Sequence, residues 1–232
     1  MTRADRDLIA FHAAFGLAAA AVLLAPDVVL PAQGAALSLG AVGWRVLALV
    51  VLYNAALPLW ARARGHAAAV RLWRFLVPVS AFQVVPDAFL VDVLGVLAFP
   101  DTGGPRLGPV PLALLGMWTI PLFGIVWTAQ RVEQGRGPRA AAWAAASFAL
   151  VAFGIAEATL WAVPIWEAQD VTVVGRVALY VLAPEALLGA AAYLAEGWTR
   201  GSGPLARVGA AAMVALLYLG ALGASYYVME GA

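Results

Sequence analysis

The sequence predicts an all-α polytopic membrane protein with seven transmembrane helices, and three observations predict it. Of the 232 residues, 64% are hydrophobic and only 12% are charged, where soluble domains run near a quarter charged. A bilayer crossing needs about 20 mostly apolar residues, and such stretches can be drawn at roughly 8–25, 37–60, 70–99, 110–130, 140–163, 172–195 and 205–229. The breaks between them are turn-like: Pro31 to Gly34, Gly65, Pro100 to Pro111, Gly135 to Pro138, and Gly201 to Pro204. Spans of that length leave no room for a separate soluble domain.

The first stretch follows Arg3 and Arg6 and has the outline of a signal peptide. It reads as a retained helix, because its apolar run passes Asp27 into a short turn and the second stretch. His12 lies one turn into it, where a satisfied or interfacial histidine is expected. The second stretch holds Trp44 and Arg45. The third carries Pro86, Asp87, Phe89 and Asp92, the fourth Trp118, and the fifth Glu157. The sixth begins near Arg176 and carries Tyr180, Pro184 and Glu185, and the seventh ends at residue 229.

Arginine placement sets the expected orientation. All 14 basic residues are arginine. Arg3, Arg6, Arg62, Arg64, Arg71, Arg74, Arg131, Arg136, Arg139, Arg200 and Arg207 fall at the N-terminus or in alternate loops. Only Arg45, Arg106 and Arg176 fall within spans or on the other side, so the positive-inside rule puts the N-terminus in the cytoplasm and the C-terminus outside. The expected location is the plasma membrane. Trp60, Trp73, Trp127, Trp143 and Trp198 near the cytoplasmic ends suit an aromatic belt. Trp44 and Trp118 fall deeper and are candidates for lining a site.

Several chemistries are excluded. Without lysine there is no Schiff base and no P-loop, and without cysteine there are no disulfides, thiolate metal sites or thiol nucleophiles. A net charge of +1 argues against a nucleic-acid partner. His12 and His66 have no metal-ligand spacing, and no Asp-rich magnesium run or GxSxG motif occurs, so no metal and no cofactor is expected.

What remains is carboxylates. An acid in hydrocarbon costs about 2.5–3.5 kcal/mol even on the lenient insertion scale, which makes Asp87, Asp92, Glu157 and Glu185 functional candidates. At 1.5 Å per residue all four fall about 20–27 Å from a membrane face, between midplane and outer surface. Arg45 and Arg176 fall in the same half. One reading is structural, with the two arginines neutralising two acids as buried pairs. The other is a polar pocket open toward the outer leaflet, with at least one carboxyl in its neutral, proton-donating form.

Pro86-Asp87-Ala88-Phe89-Leu90 matches Pro184-Glu185-Ala186-Leu187-Leu188, at similar depth on helices of opposite direction. The chain is therefore expected to be one domain over 1–232, with weak inverted repeats at 8–99 and 110–195 and a final helix at 205–229. The Gly- and Pro-rich loop from Phe99 to Pro109 and the segment from Trp161 to Asp170 are expected to lie over the pocket, with Asp101 and Arg106 paired across the first.

Buried acids among aromatic faces suit proton donation to an alkene or epoxide, with Trp118, Phe89, Trp161 and Tyr180 stabilising the carbocation. In length, span number, buried acids and the pieces Pro86-Asp87, Trp166-Glu167 and Pro184-Glu185, the sequence resembles the small integral-membrane terpene and meroterpenoid cyclases. The resemblance implies a metal-independent cyclase or isomerase acting on an isoprenoid or other lipid-soluble substrate. Asp87 would be the proton donor, Glu185 its partner or the base, with Glu157 and Asp92 following. Arg45 and Arg176 complete the expected substrate-binding set. Two alternatives stay open. A small proton-coupled transporter uses midplane acids equally well, and a structural subunit would pair Arg45 and Arg176 with the acids.

Overall fold

The computed structural model describes residues 1–25, 42–159 and 163–231. Asp27 and the expected turn at 31–34 lie outside the described residues. The described chain is all-α in character, and six of its helices are long and apolar enough to cross a bilayer.

Helix α1 (Arg3–Leu23) opens with a capping box in which Thr2 and Asp5 satisfy each other's backbone N–H groups. Helix α2 (Val42–Ala63) runs back, followed after Gly65 by α3 (Ala67–Phe82) and α4 (Val84–Asp92). The break at Gln83 lies just before Pro86, which has no N–H to give the carbonyl four residues earlier. A loop with strands β1 (Leu97–Ala98), β2 (Arg106–Leu107) and β3 (Val110–Pro111) leads to the short α5 (Leu114–Met117) and to α6 (Thr119–Ala158). Strands β4 (Glu167–Ala168), β5 (Val173–Val174) and β6 (Val177–Ala178) precede α7 (Leu179–Thr199) and α8 (Pro204–Glu230).

Helix α6 is folded in two. The stretch from Leu114 to Ala158 would be about 67 Å long if straight, twice the hydrocarbon thickness. Gly137 interrupts it at φ 79°, ψ 172°, a region open essentially to glycine alone. Pro138 then starts the second arm at the position where its missing N–H costs nothing. The arms are antiparallel: the Trp118 and Phe153 rings lie 5.2 Å apart, whereas a straight helix would separate them by about 50 Å.

The expected helix boundaries need correction: the fourth stretch is helical only from Leu114 and the fifth only to Ala158, and two larger differences bear on the site. The third apolar stretch stays helical only to Asp92, and the sixth becomes helical only at Leu179. Residues 97–98 pair with 167–168 in an antiparallel ladder, and 173–174 pair with 177–178 as a hairpin around Gly175. Hydropathy sees both as span. These residues instead build a cover whose Val96, Phe99 and Ala178 are buried by protein, and burial by protein and burial by lipid look alike in composition.

The bundle has two unlike ends. At the arginine-rich end, Asp5 receives the Trp127 indole N–H at 3.3 Å and faces Arg131 at 3.1 Å. Asp7 meets His66 at 3.0 Å, and Arg200 bridges Glu196 and Glu133. His12 is satisfied at both nitrogens: Nδ1 donates to the Leu8 carbonyl at 2.8 Å, which leaves Nε2 to accept from the Tyr53 hydroxyl at 2.9 Å. Asn54 ties three helices, donating to the Val50 and Gly116 carbonyls and accepting from the Trp73 indole. Closest packing joins α7 to the second arm of α6. Ala141, Ala145 and Ala149, spaced by four, are fully buried, and Gly189 sits against the last two.

Candidate functional site

At the other end the bundle lines a partly open cavity of about 330 Å³. Three acids reach it from three helices. Asp87, in the first turn of α4 just past Pro86, accepts a long hydrogen bond from the Trp118 indole, 3.4 Å at Oδ2. Glu157, in the last turn of α6, accepts from the Trp166 indole at 2.8 Å and from the Ala178 backbone N–H at 3.5 Å. Glu185 follows Pro184 in α7. Its Oε2 is buried and finds no hydrogen-bond partner among the described residues. Asp87 and Glu185 are each 5% exposed, so neither is a surface acid reaching inward.

The rest of the lining is apolar or aromatic. Trp118 is packed edge-on against Tyr218, centroids 5.9 Å apart, and tilted against Phe153. Tyr180 enters from the first turn of α7, its carbonyl accepting from the Ser225 hydroxyl at 2.6 Å. Both cover segments contribute, Leu97 and Phe99 from one and Ile165, Trp166 and Ala168 from the other. They are joined by the β1–β4 ladder and by the Gln169 N–H on the Val96 carbonyl, 2.8 Å. Glu230 at the end of α8 holds the second segment through the Thr172 N–H and hydroxyl, 2.9 and 3.0 Å.

Of the residues singled out in the sequence, Asp87, Glu157, Glu185, Trp118 and Tyr180 line this one cavity. Others do not. Asp92 is exposed as the last residue of α4, because the helix ends there and does not continue to residue 99. Phe89 packs toward Gly223 of α8. Arg176 is exposed in the β5–β6 turn, since residues 172–178 are hairpin and not helix. Arg45 donates to the Ala25 carbonyl at 3.0 Å, tying α2 to the end of α1. Trp44 is exposed, and Trp161 lies outside the described residues. Asp101 and Arg106 do not pair with each other: Asp101 accepts from the Gly103 N–H, and Arg106 donates to the Phe99 and Pro109 carbonyls.

The sequence places Trp166 in the segment over the pocket but not as the partner of Glu157, and it gives no role to Phe153 or Tyr218. The spacing of Trp166, nine residues past Glu157 across a Pro-containing turn, was the available signal; for Phe153 and Tyr218 there was none beyond their being aromatic in apolar helices.

Chemically, three carboxyl groups face a space with no basic side chain among its described lining residues, and no arginine lies within ion-pair distance of them among the described residues. Nor do three His, Cys, Asp or Glu side chains converge closely enough to hold a metal ion among the described residues. The arrangement can move protons and can stabilise positive charge; it offers nothing to a phosphate.

Comparison with curated proteins and with solved structures gives no match. Every described residue lining the cavity, from Asp87 to Tyr218, falls within a stretch matched by a family, residues 84–229, and because that stretch is more than half of the chain the protein belongs to this family, described as a domain of unknown function, DUF6989.

Proposed function

We propose that the protein is a membrane-embedded enzyme, terpene cyclase-like in its chemistry, acting on an isoprenoid or other lipid-soluble substrate. One observation carries this reading. Three buried carboxyl groups on three different helices converge with Trp118, Trp166, Tyr180 and Tyr218 on a single, otherwise apolar cavity.

Each turnover takes one proton from Asp87 and leaves one on Glu185, and its return from Glu185 to Asp87 resets the site. Asp87 in its protonated form gives its proton to an alkene carbon or epoxide oxygen, making a C–H or O–H bond and leaving a carbocation. The aromatic faces stabilise that charge, and ring closure moves it along the substrate. Glu185 then removes a proton from the carbon beside the final cation, forming the product alkene. Glu157, oriented by Trp166, is the third acid at the same charge. A cavity of about 150 Å³ holds benzene, so one about twice as large suits a frame of about ten to fifteen carbon atoms.

In this reading each arm of α6 crosses the bilayer, giving seven crossings. The arginine-rich end is cytoplasmic, the cavity lies toward the outer leaflet of the plasma membrane, and the C-terminus is outside. The pairing of Pro86-Asp87 with Pro184-Glu185 at one cavity is what inverted repeats would produce. The second reading, a proton-coupled transporter, is favoured by one feature: Ser80, Gln83 and Thr119 are fully buried with side-chain polar atoms that lack partners among the described residues.

The test uses purified protein in nanodiscs, offered isoprenoid alkenes and epoxides of that size, with products followed by gas chromatography and mass spectrometry. Asp87→Asn is expected to abolish product while leaving expression and thermal stability nearly intact. Full turnover by the variant would remove Asp87 from the mechanism.

A further inference from the structure

Charge bookkeeping at the cavity points to a ligand class that does not depend on any reaction. Asp87, Glu157 and Glu185 bring three acids and no described basic partner. Their protein hydrogen bonds are few: one indole for Asp87, one indole and one backbone N–H for Glu157, and none for Glu185 Oε2. A buried carboxylate without a partner is strongly unfavourable, so an acid here is neutral in the empty site, as Asp87 is in the proposed reaction, and ionises when an occupant brings the positive charge that pairs with it. The rings of Trp118, Phe153 and Tyr218 pack on one another beside Asp87. Rings beside acids in a desolvated space are the means by which proteins hold quaternary ammonium groups.

We infer that the cavity is a binding site for a hydrophobic organic cation, an alkylammonium of about ten to fifteen non-hydrogen atoms, with the charged nitrogen among Asp87, Glu185 and the Trp118 ring. This rests on the proposed function only in taking the cavity as a place where positive charge is stabilised; a stable cation there would mimic the transient one. A neutral molecule of the same shape gains the apolar contacts but neither the ion pairing nor the ring attraction. A cation–π contact in a desolvated site contributes about 2 kcal/mol, which alone makes a cation more than tenfold tighter than its neutral isostere.

The experiment compares two probes of equal shape. Benzyltrimethylammonium and neopentylbenzene each have about 11 non-hydrogen atoms, in the range set by the volume argument, and differ by nitrogen against carbon. Binding of tritiated benzyltrimethylammonium to the full-length protein is measured by scintillation proximity, with each unlabelled compound as competitor. The expected result is saturable binding that neopentylbenzene competes at least tenfold more weakly. Glu185→Gln is expected to weaken cation binding by about tenfold or more, and Trp118→Leu to weaken it several-fold. Glu185→Gln is read only alongside an unchanged elution profile and melting temperature. If that variant fails to fold, Trp118→Leu and the two-probe comparison decide alone. Equal competition by the neutral probe would overturn the cation inference while leaving an apolar cavity and the enzyme reading intact. Turnover of isoprenoids without any cation binding would do the same. Binding of neither probe, together with no turnover, would sink the cavity reading itself.

Discussion

Gly189 gives the sharpest structural prediction, because two distances determine it. A Cβ placed on Gly189 would sit 2.5 Å from the Ala149 Cβ and 2.7 Å from the Ala145 carbonyl oxygen. The first is about 1 Å short of the nearest favourable carbon–carbon contact. Neither neighbour is a flexible side chain, so relief must come from moving α7 away from the second arm of α6. Ala141, Ala145 and Ala149 form the facing stripe, all fully buried, and a shift of that size loosens the whole contact. Overpacking of this kind costs about 1–3 kcal/mol, which for a chain of this size lowers the melting temperature by roughly 2–12 °C. The measurement is thermal unfolding of Gly189→Ala in nanodiscs. Pairing it with Ala149→Gly relieves the Cβ contact but not the carbonyl contact, so partial recovery is expected. Because Glu185 is one turn before Gly189 on the same helix, the variant should also lower turnover or probe binding. An unchanged melting temperature in Gly189→Ala would refute the close approach of the two backbones on which the cavity geometry rests.

Other predictions follow from single contacts. Gly137→Ala places a Cβ in backbone at φ 79°, ψ 172°, so a loss of about 1–3 kcal/mol and reduced yield of folded protein are expected in the same unfolding assay. Asn54→Ala removes three hydrogen bonds, two that join α2 to α3 and α5 and one to the Val50 carbonyl within α2. At about 0.6 kcal/mol each in a membrane bundle, the melting temperature should fall by roughly 4–8 °C. Trp166→Phe keeps the ring but deletes the 2.8 Å donor to Glu157; turnover should drop several-fold with little change in stability, and an unaltered rate would detach Glu157 from the site.

The all-α character with several long apolar helices and the acids at the cavity were legible because both rest on cost. Apolar length marks a helix wherever backbone must be satisfied internally, and a carboxylate in such a stretch is unfavourable enough to stand out. Asp87, Glu157 and Glu185 were found that way. The fold-back at Gly137 was visible too, as a Gly–Pro pair among arginines. The cover was not. Residues 93–99 and 172–178 are as apolar as a span, and only the pairing of β1 with β4 and of β5 with β6 shows that they are strand and turn. Misreading those boundaries is what drew Asp92 and Arg176 into the expected site. Loop side chains such as Arg106 turned to nearby carbonyls, since a loop leaves its own backbone acceptors unpaired.

The enzyme and transporter readings separate at Gln83. It lies one turn before Asp87, at the break between α3 and α4, fully buried with both amide atoms unpaired among the described residues. Ser80, one turn further toward the arginine-rich end, and Thr119, beside Trp118, have unpaired buried hydroxyls as well. A carrier coupled to protons needs a polar route joining the cavity to the opposite face, and these three are its best candidate steps. An enzyme using only the cavity does not need them, and an unpaired buried amide is then a pure liability of about 1–3 kcal/mol. Gln83→Leu conserves most of the volume and removes both orphan atoms. If the cavity alone is the functional unit, Gln83→Leu should raise the melting temperature or leave it unchanged and should preserve product formation. If proton movement across the bundle is the function, the same variant should abolish proton uptake by proteoliposomes in the presence of benzyltrimethylammonium. Intact turnover together with a raised melting temperature would decide for the enzyme; loss of proton flux in a well-folded variant would decide for the carrier.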